Sequence, residues 1–334
     1  MYFFVEYLLF AAKAVTVAGL CVLPFVIGLV VLRANRGRSP QQHLNVQRLN
    51  DQLLDRQLAM ESVLTSPPAF KQRLKEVKKS RKLRDKAGET AGGRLFMCEF
   101  SGDLRADAVV SLREEISAVL AIAGPGDELA VVLESAGGTI HGYGLGASQL
   151  QRVRDRGLRL TVIVDKIAAS GGYMMACVAD QIIAAPFAII GSIGVVAQVP
   201  NFHRLLRKHD IDFELVTAGK YKRTLTMFGE NTAAGREKFQ AEIDDAHTLF
   251  KDFVAAHRPQ LDMERIGTGE YWFGTRALDL GLVDRLATSD EYLATSAAER
   301  EVYRVKLERP KSLFERVLAP VQSLAREHLQ RPTP

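Results

Sequence analysis

The sequence predicts an α/β domain with parallel strands, and three observations predict it. Strand-like runs at residues 95–100, 128–133, 160–165 and 213–216 alternate with helix-like stretches at 106–122, 143–156 and 236–257. Two of the strand-like runs end in small, glycine-bearing turns, Ser135-Ala136-Gly137-Gly138 and Ser170-Gly171-Gly172, each followed by a helix-compatible stretch. The chain has 334 residues, 47% of them hydrophobic and 25% charged, enough for one sizeable core with appendages.

Residues 1–38 read as a membrane anchor. Between 14 and 32 the chain is uncharged and mostly apolar, about the length that spans a bilayer as a helix. Glu6 and Lys13 flank one end, and Arg33, Arg36 and Arg38 the other. Pro24 lies inside, which membrane helices tolerate. The run is long for a signal-peptide core, and it ends in arginines rather than a small-residue cleavage site. Basic residues after a span favour the cytoplasm.

Residues 39–92 form a charged helical linker. Val46, Leu49, Leu53 and Met60 have helix-like spacing, and Pro67-Pro68 breaks the pattern. A basic run follows: Lys71, Arg73, Lys75, Lys78, Lys79, Arg81, Lys82, Arg84 and Lys86, against Glu76 and Asp85. A solvated helix accounts for it, and anionic lipid headgroups fit it as a partner. Nucleic acid has no supporting aromatic pattern here.

Residues 93–298 read as the main globular domain, and 299–334 as a tail, charged and proline-bearing from about Glu308. The apolar stretch 182–197 is interrupted by Pro186, Gly191, Ser192 and Gly194, so it reads as two short buried strands rather than a second span. Cys21, Cys98 and Cys177 lie in apolar contexts and read as packing residues. No metal-ligand spacing or phosphate-binding loop occurs, so neither a metal nor a cofactor is expected.

Ser170 is the candidate nucleophile. A serine at a strand-to-helix turn beside glycines can expose its hydroxyl at a sheet end, with the next N–H aimed at a developing oxyanion. Taken alone it serves equally as a helix N-cap. Gly137 and Gly138 let backbone N–H groups approach a ligand, or simply make a tight turn. Lys220 and Lys222 are candidate bases if burial lowers an amine pKa, or else a solvated basic loop. His203 and His209 are rival bases on a short basic helix, and His141 follows the glycine pair.

The order Ser-Ala-Gly-Gly (135–138), Ala-Ala-Ser-Gly-Gly-Tyr (168–173), Gly-Ser-Ile-Gly-Val (191–195), Gly-Lys-Tyr-Lys (219–222) and Gly-Leu-Val-Asp (281–284) resembles the signal-peptide-peptidase family of membrane-bound Ser/Lys peptidases, in its SohB branch. The resemblance implies Ser170 as nucleophile, Lys222 as general base and Ser192 as a helper holding the base. It places Gly137, Gly138 and Gly171 in the oxyanion-hole region. It narrows the fold to a Clp/crotonase-like spiral of ββα units. One departure is Ala136, where the family usually has Pro, which relaxes the turn. The resemblance further implies a homo-oligomeric ring, peptide or protein substrates, and a bacterial-type inner membrane crossed once. It favours the membrane face opposite to the one the basic flank favours. The other reading is a non-proteolytic crotonase-like scaffold or acyl-thioester binder; neither function would need both Ser170 and Lys222.

Overall fold

A run buried on both sides seeds the sheet. The computed structural model describes residues 13, 43–87 and 93–308. In chain order they form β1 (His43–Arg48), α1 (Leu49–Leu64), α2 (Pro67–Ala87), β2 (Leu95–Gly102), α3 (Val109–Ile122), β3 (Glu128–Ser135), α4 (Ile140–Asp155) and β4 (Arg159–Val164). There follow β5 (Ile167–Ala169), α5 (Gly171–Ala176), β6 (Gln181–Ala184), β7 (Ile189–Gly191), α6 (His203–Lys208) and α7 (Ala233–His257). The last are α8 (Met263–Ile266), β8 (Tyr271–Phe273), α9 (Gly274–Asp279), β9 (Arg285–Leu286), α10 (Ser289–Glu299) and β10 (Val302–Glu308). The chain divides into two units. The described residues of the first are Lys13, His43, Leu44, Leu307 and Glu308, with His43 Nε2 at 3.3 Å from Glu308 Oε2. The second, residues 45–306, holds the candidate site.

The sheet runs β1-β10-β2-β3-β4-β6-β9, and the pairings from β10 to β9 are parallel. Successive residues point to opposite faces, so each central strand feeds two cores. Phe96, Cys98, Leu129, Val131, Leu160 and Val162 pack with α3, α4 and α5 on one face. Leu95, Ala130, Ile163, Ile183 and Val302 pack with Tyr292 and Leu293 of α10 and Leu49 of α1 on the other. This is a mixed α/β fold built on one large sheet.

The sheet forks at the end of β3. Residues up to Val132 pair with β4, whereas Ser135 pairs with Ala168 of β5. A second layer then runs β5-β7-β8, with only the last pairing antiparallel. In α/β sheets, crevices outside the carboxyl ends of strands at such divergences are where ligands bind.

At the other end of β3, buried Glu128 accepts hydrogen bonds from Thr161 Oγ1 (2.6 Å), Tyr292 hydroxyl (2.5 Å) and Arg300 (2.7 Å). Burial pushes this carboxyl up, but the three donors together outweigh it and hold it below its ordinary value.

Several expectations change. Residues 213–216 form no strand: Phe213, Leu215 and Val216 are exposed, and no neighbouring strand pairs with them. The linker opens with β1 at 43–48 before its first helix starts at Leu49. The sheet extends past residue 298, because β10 pairs with β2, Val302 opposite Leu95. Burial on both faces explains this: Val302 packs in one core and Val305 in the other, while Arg304 and Lys306 pair with Glu99. Among the described residues no helix is long and apolar enough to cross a membrane. The anchor expected at 14–32, and Cys21 with it, lies outside the described residues.

Candidate active site

Ser170 sits at the fork, between β5 and α5, with φ +52° and ψ −120°. Positive φ is uncommon for a residue with a Cβ, and such backbone strain persists only where the surroundings enforce it. They do so here. The Ser170 N–H donates to Gly191 O at 2.8 Å, and its carbonyl accepts from Met174 N at 2.9 Å. Every residue of α5 is buried, and Tyr173 hydroxyl donates to Leu282 O at 2.9 Å. Ser170 itself is half-buried, and its hydroxyl makes no hydrogen bond among the described residues. The serine does not cap α5 with its side chain.

Glycine is required on both sides of the serine. A Cβ at Gly137, where φ is +91°, would lie 2.8 Å from Ala169 O, Gly171 N and Ser170 Cβ. A Cβ at Gly171 would lie 2.4 Å from Tyr143 Cγ. The loop after β3 is thus pressed against the Ser170 turn. Of the three expected oxyanion donors, Gly137 is otherwise engaged: its N–H donates to Ser135 Oγ at 3.0 Å. The N–H groups of Gly138 and Gly171 have no partner among the described residues.

Ser135 supports that loop and was given no role by its sequence alone. Its hydroxyl lies 2.5 Å from the Tyr143 hydroxyl, which donates to Asp103 O at 2.7 Å. Burial pushes the Tyr143 phenol up, keeping it a neutral donor. The only sequence signal was Ser135 standing directly before the glycine turn; Tyr143 and Asp103 gave none.

Ser192 follows β7, the strand paired with β5, and has the same φ of +52°. Ala169 pairs with Gly191, so Ser170 and Ser192 leave adjacent strand ends. The Ser192 N–H donates to Glu270 O at 2.7 Å.

Lys222 lies elsewhere in character. Between α6 and α7 the chain has no regular structure, and Lys222 is exposed. Its backbone N–H donates to Gly219 O at 3.1 Å, and its amine bonds nothing among the described residues. Lys220 and Lys238 amines stand 5.1 and 5.5 Å from the Tyr221 ring instead. Val216, Ile211, Leu215 and Met227 of this segment are exposed, while Phe213, Phe228 and Phe202 cluster. His203 starts α6, His209 follows it and His141 is exposed; none bonds Ser170. Burial drives the Cys98 and Cys177 thiols well up, so both are inert packing groups. No group of acidic, histidine or cysteine residues fit for a metal occurs among the described residues.

Two family models match the chain in succession: Peptidase family S49 N-terminal over residues 2–150 and Peptidase family S49 over 152–303. A Haemophilus influenzae protein described as "Probable protease SohB" is 46% identical over 304 residues, covering 87% of this chain and 86% of its own. One of the same description from Buchnera aphidicola subsp. Acyrthosiphon pisum is 58% identical over 228 residues, 68% of each chain. Among solved structures, a membrane-bound stomatin-specific protease matches with a TM-score of 0.42 at 13% identity, covering 62% of this chain and 86% of that one. The chain belongs to peptidase family S49, and protease chemistry is the activity that membership carries.

Proposed function

We propose that the chain is a membrane-anchored serine endopeptidase in which Ser170 is the nucleophile and Lys222 the general base. The observation that supports this most is the Ser170 turn: a strained serine with an unbonded hydroxyl, beside two backbone N–H groups without partners. In this reading neutral Lys222 removes the Ser170 proton as Oγ attacks the scissile carbonyl. The Gly138 and Gly171 N–H groups hold the oxyanion, while Gly137 shapes the loop through Ser135. Lysinium returns the proton to the leaving amine, and water then releases the acyl group from Ser170. Ser192 holds the amine without favouring its charged form, as a carboxylate would.

A lysine amine serves as a base only where water is excluded, so this chemistry needs the 209–232 segment covered. Its exposed apolar residues support covering by a neighbouring copy in a ring, which brings Lys222 to the next Ser170. The forked sheet is read as a Clp/crotonase-like spiral of ββα units. The apolar run at 14–32 is read as the anchor of a single-pass protein of a bacterial-type inner membrane, acting on peptides in or near it.

The test is labelling by a serine-reactive phosphonate in detergent, comparing wild type with Ser170→Ala, Lys222→Ala and His203→Ala. Labelling lost in the first two and kept in the third is expected. Labelling that survives Lys222→Ala but not His203→Ala moves the base to histidine. A folded wild type that takes no label favours the acyl-thioester binder or scaffold.

A further inference from the structure

In the helical hairpin before the catalytic domain, the described arginines and lysines of α2 face different ways, while Arg56 of α1 is exposed. Helices α1 and α2 run antiparallel: Arg81 reaches Asp55 Oδ1 at 2.7 Å and Asp51 at 3.4 Å, and Arg73 lies 3.5 Å from Glu61. Arg73 and Arg81 therefore turn inward to the acids of α1. Val77 is buried on that same face, as is Leu58 of α1. The lysines turn outward. Lys71, Lys75, Lys78 and Lys82 are exposed, and none pairs with a carboxylate among the described residues. Their spacing of four, three and four residues puts them on one helical stripe about 16 Å long. Exposed Lys79 flanks it.

At the tip of the hairpin the surface changes from cationic to aliphatic. Met60, Val63 and Leu64 are 65%, 84% and 78% exposed, directly before the Thr65-Ser66 turn into α2. Single exposed aliphatics are ordinary, but three on one helix end beside a lysine stripe form a mixed surface. The hairpin is also fixed to the domain. Asn50 Nδ2 donates to Ala297 O (2.8 Å) and Arg300 O (2.9 Å), and Asn50 Oδ1 accepts from Val302 N (2.8 Å).

We infer that this hairpin is a docking surface for an anionic lipid bilayer, the lysine stripe lying along headgroups and the aliphatic tip entering the interface. Basic residues near a membrane attract acidic lipids, and aliphatic insertion adds to that attraction. The tip favours lipid over nucleic acid, since the side chains it exposes most, Met60, Val63 and Leu64, are aliphatic, and Phe70 in the first turn of α2 is half-buried. Because Asn50 ties the hairpin to α10 and β10, its docking would orient the whole catalytic domain on the membrane. This goes beyond the peptidase reading and needs neither Ser170 nor Lys222.

Full-length protein would be reconstituted into vesicles of phosphatidylcholine alone, or with about one quarter phosphatidylglycerol. Lysine acetylation by a membrane-impermeant reagent, read by mass spectrometry, is normalised to exposed Lys208 on α6. Labelling of Lys71, Lys75, Lys78 and Lys82 is expected to fall several-fold in the acidic vesicles and to recover in high salt. The variant Lys71→Gln/Lys75→Gln/Lys78→Gln/Lys82→Gln is expected to keep peptidase activity in detergent but lose the protection of Lys79. Equal labelling in both vesicle types overturns the inference, as does protection by an oligonucleotide in detergent in place of acidic lipid. Protein that fails to associate with the acidic vesicles overturns it too.

Discussion

The backbone around Ser170 is held at every turn, while that around Lys222 is held at few points. Ser170 leaves a strand paired on both sides, enters a fully buried helix and has its strained φ locked by Gly191 and Met174. Lys222 sits in a segment with no helix or strand, exposed, with Val216 93% exposed nearby. One half of the proposed dyad is thus complete within a single chain, and the other awaits a cover. On the proposed reading, folding supplies one part of the chemistry and assembly the other. A nucleophile and its oxyanion donors need rigid geometry, which a sheet fork provides. A lysine base needs a dry site, which an exposed loop acquires only when something closes over it.

The sharpest break of this comparison is at its rigid half. Ser170→Ala is expected to lower kcat/KM on an unstructured peptide by about 10⁴-fold or more, with the circular dichroism unchanged. At the loop, Lys222→Ala should cost a similar factor, on the order of 10³ to 10⁴, whereas Lys220→Ala should cost less than about tenfold. Equal losses at the two lysines in peptidase assays would remove the distinction between them.

Gly137→Ala probes the rigid half from the neighbouring loop. The added Cβ meets three backbone or Cβ atoms at 2.8 Å, so activity should fall by roughly 10²-fold or more as the oxyanion donors shift. Gly144→Ala on α4 meets nothing within 4 Å and should leave kcat/KM unchanged.

The smallest expected effect lies at the far end of β3. Glu128→Gln leaves Arg300 and Tyr292 without their charged acceptor and should cost about 2–3 kcal/mol in thermal or denaturant unfolding at pH 7. The folded-state pKa of Glu128 is lowered from 4.5. Its contribution is therefore present above the ordinary glutamate value and lost as pH falls through the folded value. Wild-type stability should decline through that acidic window more steeply than that of the variant, while peptidase activity at pH 7 stays near wild type.

Much of the rigid half was legible in the sequence. The runs at 95–100, 128–133 and 160–165 became β2, β3 and β4 because apolar residues buried on both faces leave few alternatives. The small-residue stretch after Ser170 became α5 for the same reason. The miss at 213–216 has the opposite cause: Phe213-Glu214-Leu215-Val216 has strand character but no partner to pair with. Sequence alone could not tell that Gly137 gives its N–H to Ser135, because that depends on how the loop after β3 folds against Tyr143. Nor could it tell that α2 segregates arginine from lysine, since that depends on where the acids of α1 fall.

The most direct test mixes two inactive proteins. Ser170→Ala and Lys222→Ala chains would be purified separately, combined in equal amounts, dissociated and reassembled in detergent. If Lys222 serves the Ser170 of a neighbouring copy, peptidase activity should return to about one quarter of wild type, the share of sites formed from two intact halves. No recovery from a mixture shown to have reassembled would contradict the account and place both groups of the dyad, if it operates, within one chain.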